Sequence, residues 1–351
     1  MQLQVETFTV HKKFALQISR GTTAASTNVL LRVEQSGIEG WGEASPFSID
    51  RNPVKDTTSL LLELKPILLE LEQFHPLERQ EIHAKLQQHQ ASSNLRAAVD
   101  MALYDWLGKK VGLPLWQIWG LNCDRLVPIS VTIGISSPEA AIARLKNWQN
   151  TLEVKMLKLK LGSPAGTAAD RLMVETVRQA VPQIRITVDA NGGWSFEDAV
   201  SMSQWLADRG VEYIEQPLPV TLDHQLTDLS QVSPLPIFVD ESCFTSKDIL
   251  RLADSVAGIN LKIMKTGGLT EAMRAIQVAQ ACGLKLMFGC YSDSTLANTA
   301  MAQLAPYADY LDLDSHLNLT DDPFVGATIK SGRLVPNCKP GLGVSYAADR
   351  E

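Results

Sequence analysis

Hydrophobic and polar positions follow two different patterns along the chain, and the change comes near residue 120. In the first part, short segments alternate apolar and polar residues with a period of two, which is typical of strands with one buried face. These segments are residues 2–10, 28–34 and 38–43. Two later segments, residues 56–72 and 94–110, repeat their apolar residues at helical spacing. Strands followed by helices predict a small α+β domain.

From about residue 126, apolar strand-like segments alternate with helical segments. The strand-like segments are residues 127–135, 154–161, 184–189, 211–215, 236–240, 257–263, 284–289 and 309–313. The clearest helical segments are residues 138–149, 168–180, 196–208 and 270–282. Alternation at this spacing calls for parallel strands, and eight such strands close into a TIM-type barrel. Because no clear helix follows the last strand, we predict an α/β fold, a (β/α)7β barrel with an N-terminal α+β capping domain.

These patterns also predict the domain organisation. We expect residues 1–120 to form the capping domain and residues 121–319 to form the catalytic barrel. The tail, residues 320–351, is rich in Gly and Pro, and we expect it to return to the N-terminal unit and complete the capping domain.

Charge and cysteine content exclude several classes of protein. Lys and Arg number 32 and Asp and Glu number 39, so the formal net charge is −7. This balance argues against binding to nucleic acid or to an anionic membrane surface. The chain contains no apolar run of about 18 residues that could span a membrane. Its five cysteines form no CxxC pair, which argues against disulfides and structural zinc and favours a cytoplasmic location.

Charged residues stand at the ends of several predicted barrel strands, where apolar residues are the rule. They are Lys158 and Lys160, Asp189, Glu215, Asp240, Lys262, and the pair Asp312 and Asp314. The successive residues Lys160, Asp189, Glu215, Asp240 and Lys262 are separated by 29, 26, 25 and 22 positions. Each step equals about one strand and one helix, so these side chains are expected at one level. That level is the carboxyl end of the strands, where barrel active sites are built.

A single charged residue at a strand end is usually a helix cap or part of a surface ion pair. Three carboxylates on consecutive strands are different, because their convergence is costly unless a cation offsets it. Oxygen ligands of this kind suit Mg²⁺, whereas zinc is disfavoured because no His or Cys stands at matching positions. Mutual repulsion further predicts that Asp240→Asn leaves the fold intact, because the substitution removes one like charge.

A magnesium ion flanked by two lysines suggests one class of reaction. One lysine removes the proton next to a substrate carboxylate, and the metal and nearby cations stabilise the enediolate that develops. Lys262 is expected on about the opposite side of the barrel from Lys160. A proton can then leave one face of the enediolate and return on the other, which is racemisation or epimerisation.

Over nearly its whole length the sequence resembles the enolase superfamily, and within it the muconate-lactonizing subgroup. The matching motifs are Lys158-Leu-Lys160, Asp189-Ala-Asn191-Gly-Gly-Trp194, Glu215-Gln-Pro217, Asp240-Glu-Ser242, Asn260-Leu-Lys262 with Gly267-Gly268, and Gly40-Trp-Gly-Glu43. The resemblance implies that Asp189, Glu215 and Asp240 bind one Mg²⁺ per subunit. It also implies that Lys160 and Lys262 are the acid/base catalysts and that Lys158 assists them.

The eighth strand separates activities within this subgroup. Asp312-Leu-Asp314 looks like the Asp-x-Asp motif of dipeptide epimerases, which resemble the Ala-Glu epimerase. A dipeptide carries a free α-ammonium, for which a carboxylate pair is the natural partner, although the pair could also be a solvated loop. Thr132 matches a substrate-contacting position of the family. The alternative function is an N-acylamino acid racemase or o-succinylbenzoate synthase, whose substrates lack this cation.

Other residues bear on substrate choice. Cys290 and Ser292 lie in a segment where relatives often carry a Glu in place of Asp293, and they are expected near the substrate. Arg20 either binds a substrate side-chain carboxylate, as an arginine does in relatives, or is a surface arginine. Substrate side chains are expected to contact N-terminal loops around residues 14–24 and 45–53.

Two further expectations concern the assembly and a third class of function. Barrels of this family are commonly symmetric, so we expect a homo-oligomer. A binding or structural protein with an inactive barrel is disfavoured, because every expected metal and base position is filled.

Overall fold

The N-terminal part of the protein forms an antiparallel sheet backed by helices. In this computed structural model, residues 1–46 and 56–350 of the chain are described. The sheet contains β1 (Gln2–Ile18), β2 (Gly21–Gln35) and β3 (Ile38–Ala44), in that order. The helices are α1 (Thr57–Leu71), α2 (Arg79–Gln88), α3 (Ser93–Val111) and the short α4 (Leu115–Ile118).

Helix α3 packs directly on strand β3, and two glycines make this contact possible. A Cβ added to Gly40 would lie 2.0 Å from the carbonyl oxygen of Ala102, and one added to Gly42 would lie 1.8 Å from that of Ala98. Both distances are far inside van der Waals contact, so no larger residue fits. Two glycines of the Gly40-Trp-Gly-Glu43 motif therefore set the spacing between sheet and helix.

The first hairpin is longer than the sequence pattern predicted. The expected loop around residues 14–24 is wrong, because β1 continues to Ile18 and β2 resumes at Gly21, with a register shift between His11 and Leu16. Phe14, Leu16 and Ile18 continue the apolar alternation to the end of β1, so the strand pattern itself extends beyond residue 10. Of the second expected loop, residues 47–53 lie outside the described residues.

Eight parallel strands form the barrel and confirm the predicted fold. They are β4 (Ser130–Ile133), β5 (Met156–Lys160), β6 (Arg185–Asp189), β7 (Val211–Glu215), β8 (Ile237–Val239), β9 (Gly258–Lys262), β10 (Lys285–Gly289) and β11 (Tyr310–Asp312). They pair in sequence order, and a parallel bridge between Ile129 and Leu311 joins the last strand to the first.

Helices connect consecutive barrel strands and cover the outside of the barrel. They are α5 (Pro138–Thr151), α6 (Thr167–Ala180), α7 (Phe196–Ala207), α8 (Leu226–Val232), α9 (Ser246–Leu252), α10 (Ile263–Thr266), α11 (Leu269–Ala281) and α12 (Thr295–Ala302). A 3-10 turn, Ser315–Asn318, follows the last strand in place of an eighth helix. None of the helices in the described residues is long and apolar enough to cross a bilayer.

An aromatic layer fills the barrel beneath the polar residues of the strand ends. Tyr213, Phe238 and Met287 are buried together, with Tyr310 packed against them. Tyr213 and Tyr310 lie two positions before Glu215 and Asp312, and side chains two apart in a strand share a face. The charged residues therefore lie next to a layer of buried side chains, which excludes water from that side of them.

The C-terminal tail returns to the N-terminal sheet. Strand β12 (Phe324–Val325) pairs with β15 (Ser345–Tyr346), and a hairpin of β13 (Thr328–Lys330) and β14 (Arg333–Val335) lies between them. The Phe324 ring meets that of Phe8 edge to face at 5.2 Å, and Tyr346 lies 4.9 Å from Trp41. These contacts agree with the expected return of the tail, while the boundaries near residues 120 and 319 stay predictions.

Candidate active site

The strand register brings the charged residues to one level at the carboxyl end of the barrel. Lys160 lies beside Asp189, and Asp189 lies beside Glu215 on the next strand. On the other side of the ring, Gly289 pairs with both Lys262 and Asp312. All of these charged residues are buried. The spacing argument from the sequence therefore corresponds to a real layer of side chains.

The two lysines predicted as catalysts lie on opposite sides of the ring. Lys160 ends β5 and Lys262 ends β9, four strands away in a ring of eight. Strands four apart face each other across the barrel axis. Each ammonium makes an ion pair with a carboxylate, Lys160 with Asp189 at 2.6 Å and Lys262 with Asp240 at 2.7 Å.

Lys158 lies one layer deeper, inside a cage of carboxylates. Its ammonium is 2.5 Å from Glu215, 2.7 Å from Asp312 and 3.4 Å from Asp189. Burial alone would lower the pKa of Lys158, but these three carboxylates raise it well above its ordinary value. Lys158 is therefore a fixed positive charge rather than a base.

Asp240 is held by two lysines, one of which the sequence analysis missed. Lys265 is completely buried and lies 2.5 Å from Asp240, which also pairs with Lys262. Burial would raise the pKa of Asp240, but the two ammonium groups hold it well below its usual range. The expectation that Asp240→Asn relieves repulsion is therefore wrong, because this carboxylate balances two buried cations. The sequence contains an indication of this second ion pair, because Lys265 follows Lys262 by only three residues.

The donor set suits a hard divalent cation. Burial and the nearby charge of Asp189 raise the pKa of Glu215 to about 7. The ionised form of Glu215 is therefore disfavoured, and additional positive charge nearby would stabilise it. Among the described residues, the buried side-chain amide oxygens of Asn191 and Asn260 have no hydrogen-bond partner. Both amides donate to the carboxylates, Asn191 to Asp189 at 3.1 Å and Asn260 to Glu215 at 2.7 Å. Among the described residues, these side chains offer oxygen ligands, which favours Mg²⁺ over zinc.

The carboxylates are engaged by lysines in this structure. Within the described residues, no three His, Cys, Asp or Glu side chains are grouped closely enough to hold an ion. The reason is visible in the ion pairs, because lysine ammonium groups bind Asp189, Glu215 and Asp240.

The Asp-x-Asp pair divides into two different environments. Asp312 pairs with Lys158 and accepts a hydrogen bond from the Ser130 hydroxyl at 2.8 Å. Asp314 accepts the backbone N–H of Thr132 at 2.7 Å, and among the described residues it forms no ion pair with a lysine or arginine. Burial and the neighbouring charge of Asp312 raise the pKa of Asp314 to about 6. Asp314 is thus the carboxylate better suited to bind an added ammonium group.

The other predicted substrate residues are only partly brought together. Thr132 and Cys290 line one cavity with Lys160 and both aspartates of the pair. Ser292 is not among the residues that line this cavity, and its carbonyl accepts a hydrogen bond from Asn28.

Arg20 is also outside the lining of this cavity. Its guanidinium pairs with Glu241 at 2.7 Å and donates to the carbonyl of Asn191 at 2.8 Å. Arg20 therefore links the first hairpin to the loops that follow two of the carboxylate-bearing strands.

Glu43 connects the N-terminal sheet to the loop after β10. The side-chain amide of Asn28 donates to it at 2.6 Å, as do the backbone N–H of Ser294 at 3.0 Å and that of Ala297 at 3.1 Å. Burial, and then repulsion from Asp293, raise the pKa of Glu43 to about 8. The sequence pattern did not predict this role, because Ser294 and Ala297 are about 250 residues away in the sequence.

Glu43→Gln is expected to change the pH dependence of stability. The pKa of Glu43 is 4.5 in the unfolded chain and about 8 in the folded protein, so between these two pH values the folded protein holds a proton on Glu43 that the unfolded chain releases. The stabilisation is complete below pH 4.5 and is lost as pH rises through 8. The free energy of unfolding of the wild type, minus that of the variant, should fall by up to about 4 kcal/mol between pH 5 and pH 9.

Urea unfolding at both pH values measures this difference. Glu81→Gln, at an exposed position of α2, is the matched control and should show no such fall. A difference between wild type and Glu43→Gln that is the same at pH 5 and pH 9 would show that Glu43 titrates normally.

Comparisons with known proteins agree with this architecture. Residues 4–120 match the mandelate racemase/muconate lactonizing enzyme N-terminal domain, and residues 140–350 match the enolase C-terminal domain-like family. The hydrophobic dipeptide epimerase of Flavobacteria bacterium (strain MS024-2A) is 41% identical over 345 residues, covering 98% of this chain and 97% of that protein. The L-Ala-D/L-Glu epimerase of Bacteroides thetaiotaomicron is 35% identical, covering 93% and 82%.

A solved structure shares the whole fold. The dipeptide epimerase from Cytophaga hutchinsonii, complexed with Mg and the dipeptide D-Ala-L-Val, superposes with a TM-score of 0.93 at 26% identity. The match covers 100% of this chain and 96% of that one. With both domain models matched and relatives similar over their full length, the chain belongs to the mandelate racemase/muconate lactonizing enzyme family of the enolase superfamily.

Proposed function

We propose that this protein is a Mg²⁺-dependent dipeptide epimerase, which inverts the α-carbon of the C-terminal residue of a dipeptide such as Ala-Glu. The observation that carries the proposal is the pair of lysines, Lys160 and Lys262, on opposite sides of one buried polar layer. Relatives 41% and 35% identical are epimerases, which are isomerases, and a structural neighbour binds Mg and a dipeptide. These similarities favour the epimerase over the alternative.

The two lysines carry out the proton transfers. One lysine, as the neutral amine, accepts the α-proton from one face of the substrate carbon. The carbon becomes planar as an enediolate, and the opposite lysine, as an ammonium, donates a proton to the other face. Configuration is inverted, and each lysine ends with the charge that the other had. The roles exchange for the other stereoisomer.

The remaining charged residues hold the substrate carboxylate and the developing charge. Asp189, Glu215 and Asp240 would hold Mg²⁺ through their carboxylate oxygens, and the amide oxygens of Asn191 and Asn260 lie close to this set. When bound, Mg²⁺ supplies positive charge that stabilises the enediolate. Lys158 assists as a fixed cation among the carboxylates.

Recognition of the free ammonium separates a dipeptide epimerase from the alternative, an N-acylamino acid racemase or o-succinylbenzoate synthase. Asp314 carries a buried carboxylate without an ion pair in the described residues, and Asp312 is already paired with Lys158. A substrate ammonium bound at Asp314 would balance that charge. The N–H of Thr132 donates to the carboxylate of Asp314, and the thiol of Cys290 donates to the main-chain carbonyl of Asp312.

Asp314→Asn is expected to lower kcat/KM for an unblocked dipeptide by about 10²-fold or more, because a charge-assisted contact is lost. Turnover of the N-acetylated dipeptide, which has no ammonium, should change far less. Steady-state kinetics on both substrates, with Asp254→Asn on the barrel exterior as a control, measures the difference. Equal losses on both substrates would count against ammonium recognition at Asp314.

The epimerase function itself is tested by isotope exchange. With Mg²⁺ in D₂O, the protein should incorporate deuterium at the α-carbon of the C-terminal residue in some members of a dipeptide library. Exchange restricted to N-acyl amino acids would favour the alternative enzyme. No exchange with any substrate would favour an inactive barrel.

We also propose a cytoplasmic homo-oligomer with the domain division given above. All five cysteines, which lie among the described residues, are free thiols, as a reducing compartment requires.

On α1 the side chains of Leu62 and Leu69 are exposed, which supports contact with a second copy. Light scattering after size exclusion measures the oligomeric state.

A further inference from the structure

The cavity that Asp314 lines also has apolar and basic side chains in its lining. The apolar part of its lining comes from β1, β4 and the segment that follows β4. The apolar side chains are Phe14, Leu16, Ile133 and Ile135. Two cations, Lys12 and Arg144, also line this cavity. This cavity therefore combines acidic side chains, Asp312 and Asp314, with the two basic ones.

Arg144 is fixed in the cavity wall by aromatic rings. Its guanidinium lies 4.3 Å from the centre of the Phe14 ring and 4.1 Å from that of Trp148. One N–H donates to the side chain of Asn147 at 3.1 Å. Among the described residues Arg144 makes no ion pair. A guanidinium has five N–H donors, so most of them remain for a ligand.

Lys12 contributes the second cation from the N-terminal sheet. It is partly buried, and among the described residues its ammonium has no ion pair. Burial lowers the pKa of Lys12, and the acidic groups that face it, Cys290, Asp314 and Asp293, offset this only in part. An anion placed between Lys12 and Arg144 would therefore be stabilised by both.

Because Asp314, Lys12 and Arg144 line one cavity, the part of a substrate near the two cations can be inferred. Under the proposed function, the reacting α-carbon lies between Lys160 and Lys262, and the ammonium lies at Asp314. The N-terminal side chain branches from the carbon that carries the ammonium. Lys12, Arg144 and Asp314 line the same cavity, so a side chain that extends from this carbon lies in the same cavity as the two cations.

Resting on the proposed epimerase function, we propose that Lys12 and Arg144 form a subsite for the carboxylate of an acidic N-terminal residue of the dipeptide. The methylene groups of that residue contact the apolar walls, and its carboxylate accepts hydrogen bonds from the two cations. Among the dipeptides that it epimerises, the protein accordingly prefers those that begin with an acidic residue, such as L-Glu-L-Ala.

Paired neutral and acidic dipeptides test the subsite. L-Glu-L-Ala and L-Gln-L-Ala have nearly the same shape and differ in one charge, so their kcat/KM ratio isolates charge recognition. The wild-type protein with Mg²⁺ is expected to favour the glutamyl dipeptide by about tenfold or more, mainly through KM. The ratio should fall as salt is raised, because ions screen partly exposed charges.

Variants assign the preference to these two residues. In Arg144→Gln and in Lys12→Gln the ratio should fall to about threefold or less, whereas Arg144→Lys should keep part of it. Lys13→Gln, next to Lys12 but exposed and outside the cavity lining, is the matched control and should keep the full ratio. Because Arg144 is packed between two rings, Lys12→Gln provides the test if Arg144→Gln does not fold.

The outcomes separate this inference from the function on which it rests. Turnover of both dipeptides at a ratio near one would overturn the subsite and leave the epimerase function standing. A glutamyl preference that survives in both variants would also overturn the assignment to Lys12 and Arg144. If no dipeptide at all is epimerised by the folded protein, the proposed function fails and the subsite with it.

Discussion

Lys160→Ala and Lys262→Ala are each expected to abolish epimerisation while leaving exchange of one stereoisomer's α-proton. The two residues lie four strands apart in the ring of eight, so each serves one face of the substrate carbon. Loss of one lysine removes proton transfer on its face, a loss of about 10²–10⁴-fold in kcat. The remaining lysine can still remove a proton from its own face and return a deuteron to it.

Proton NMR in D₂O measures inversion and exchange in the same sample. Starting from the L,L dipeptide and from its epimer, the two variants should show opposite stereochemical preferences for exchange. Lys285→Ala, at the exposed amino end of β10, is a control that should behave as wild type. Full-rate epimerisation by either active-site variant, or exchange of the same isomer in both, would contradict the two-base scheme.

Asp240→Asn is expected to abolish Mg²⁺ binding and also to destabilise the fold. This buried carboxylate pairs with Lys262 at 2.7 Å and with Lys265 at 2.5 Å. Removing its charge leaves both ammonium groups buried with less compensation, which costs about 3–5 kcal/mol of unfolding free energy. The sequence pattern alone predicted that this substitution would leave the fold intact, so the loss of stability follows only from the structure.

A second substitution separates metal binding from stability. In Asp240→Asn combined with Lys265→Met, one unpaired buried charge is gone, so urea unfolding should show recovery of part of the lost stability. Titration calorimetry with Mg²⁺ should still detect no binding. Asp228→Asn, at an exposed position of α8, is the control for both measurements. Normal Mg²⁺ affinity in Asp240→Asn would disprove the ligand assignment, and unchanged stability would show that the ion pairs contribute little.

The sequence by itself determined the barrel, the level of the charged residues and the family. Period-two and helical repeats are local properties, so they identify strands and helices without knowledge of their partners. Parallel strands joined by helices of similar length bring equivalent positions to one edge, which is why the spacing of Lys160, Asp189 and Glu215 predicted their register. The family motifs added the expected roles of these residues.

Only the tertiary structure decided how those charges are paired. It engages Asp312 with Lys158 and leaves Asp314 without an ion pair in the described residues, directs Arg20 to Glu241, and puts Lys265 on Asp240. It also extends the first hairpin so that Lys12 reaches the cavity. Ion pairs and cavity walls depend on side-chain directions and on contacts between elements far apart in the chain. Local periodicity carries no information about either, so these features emerge only when the elements pack.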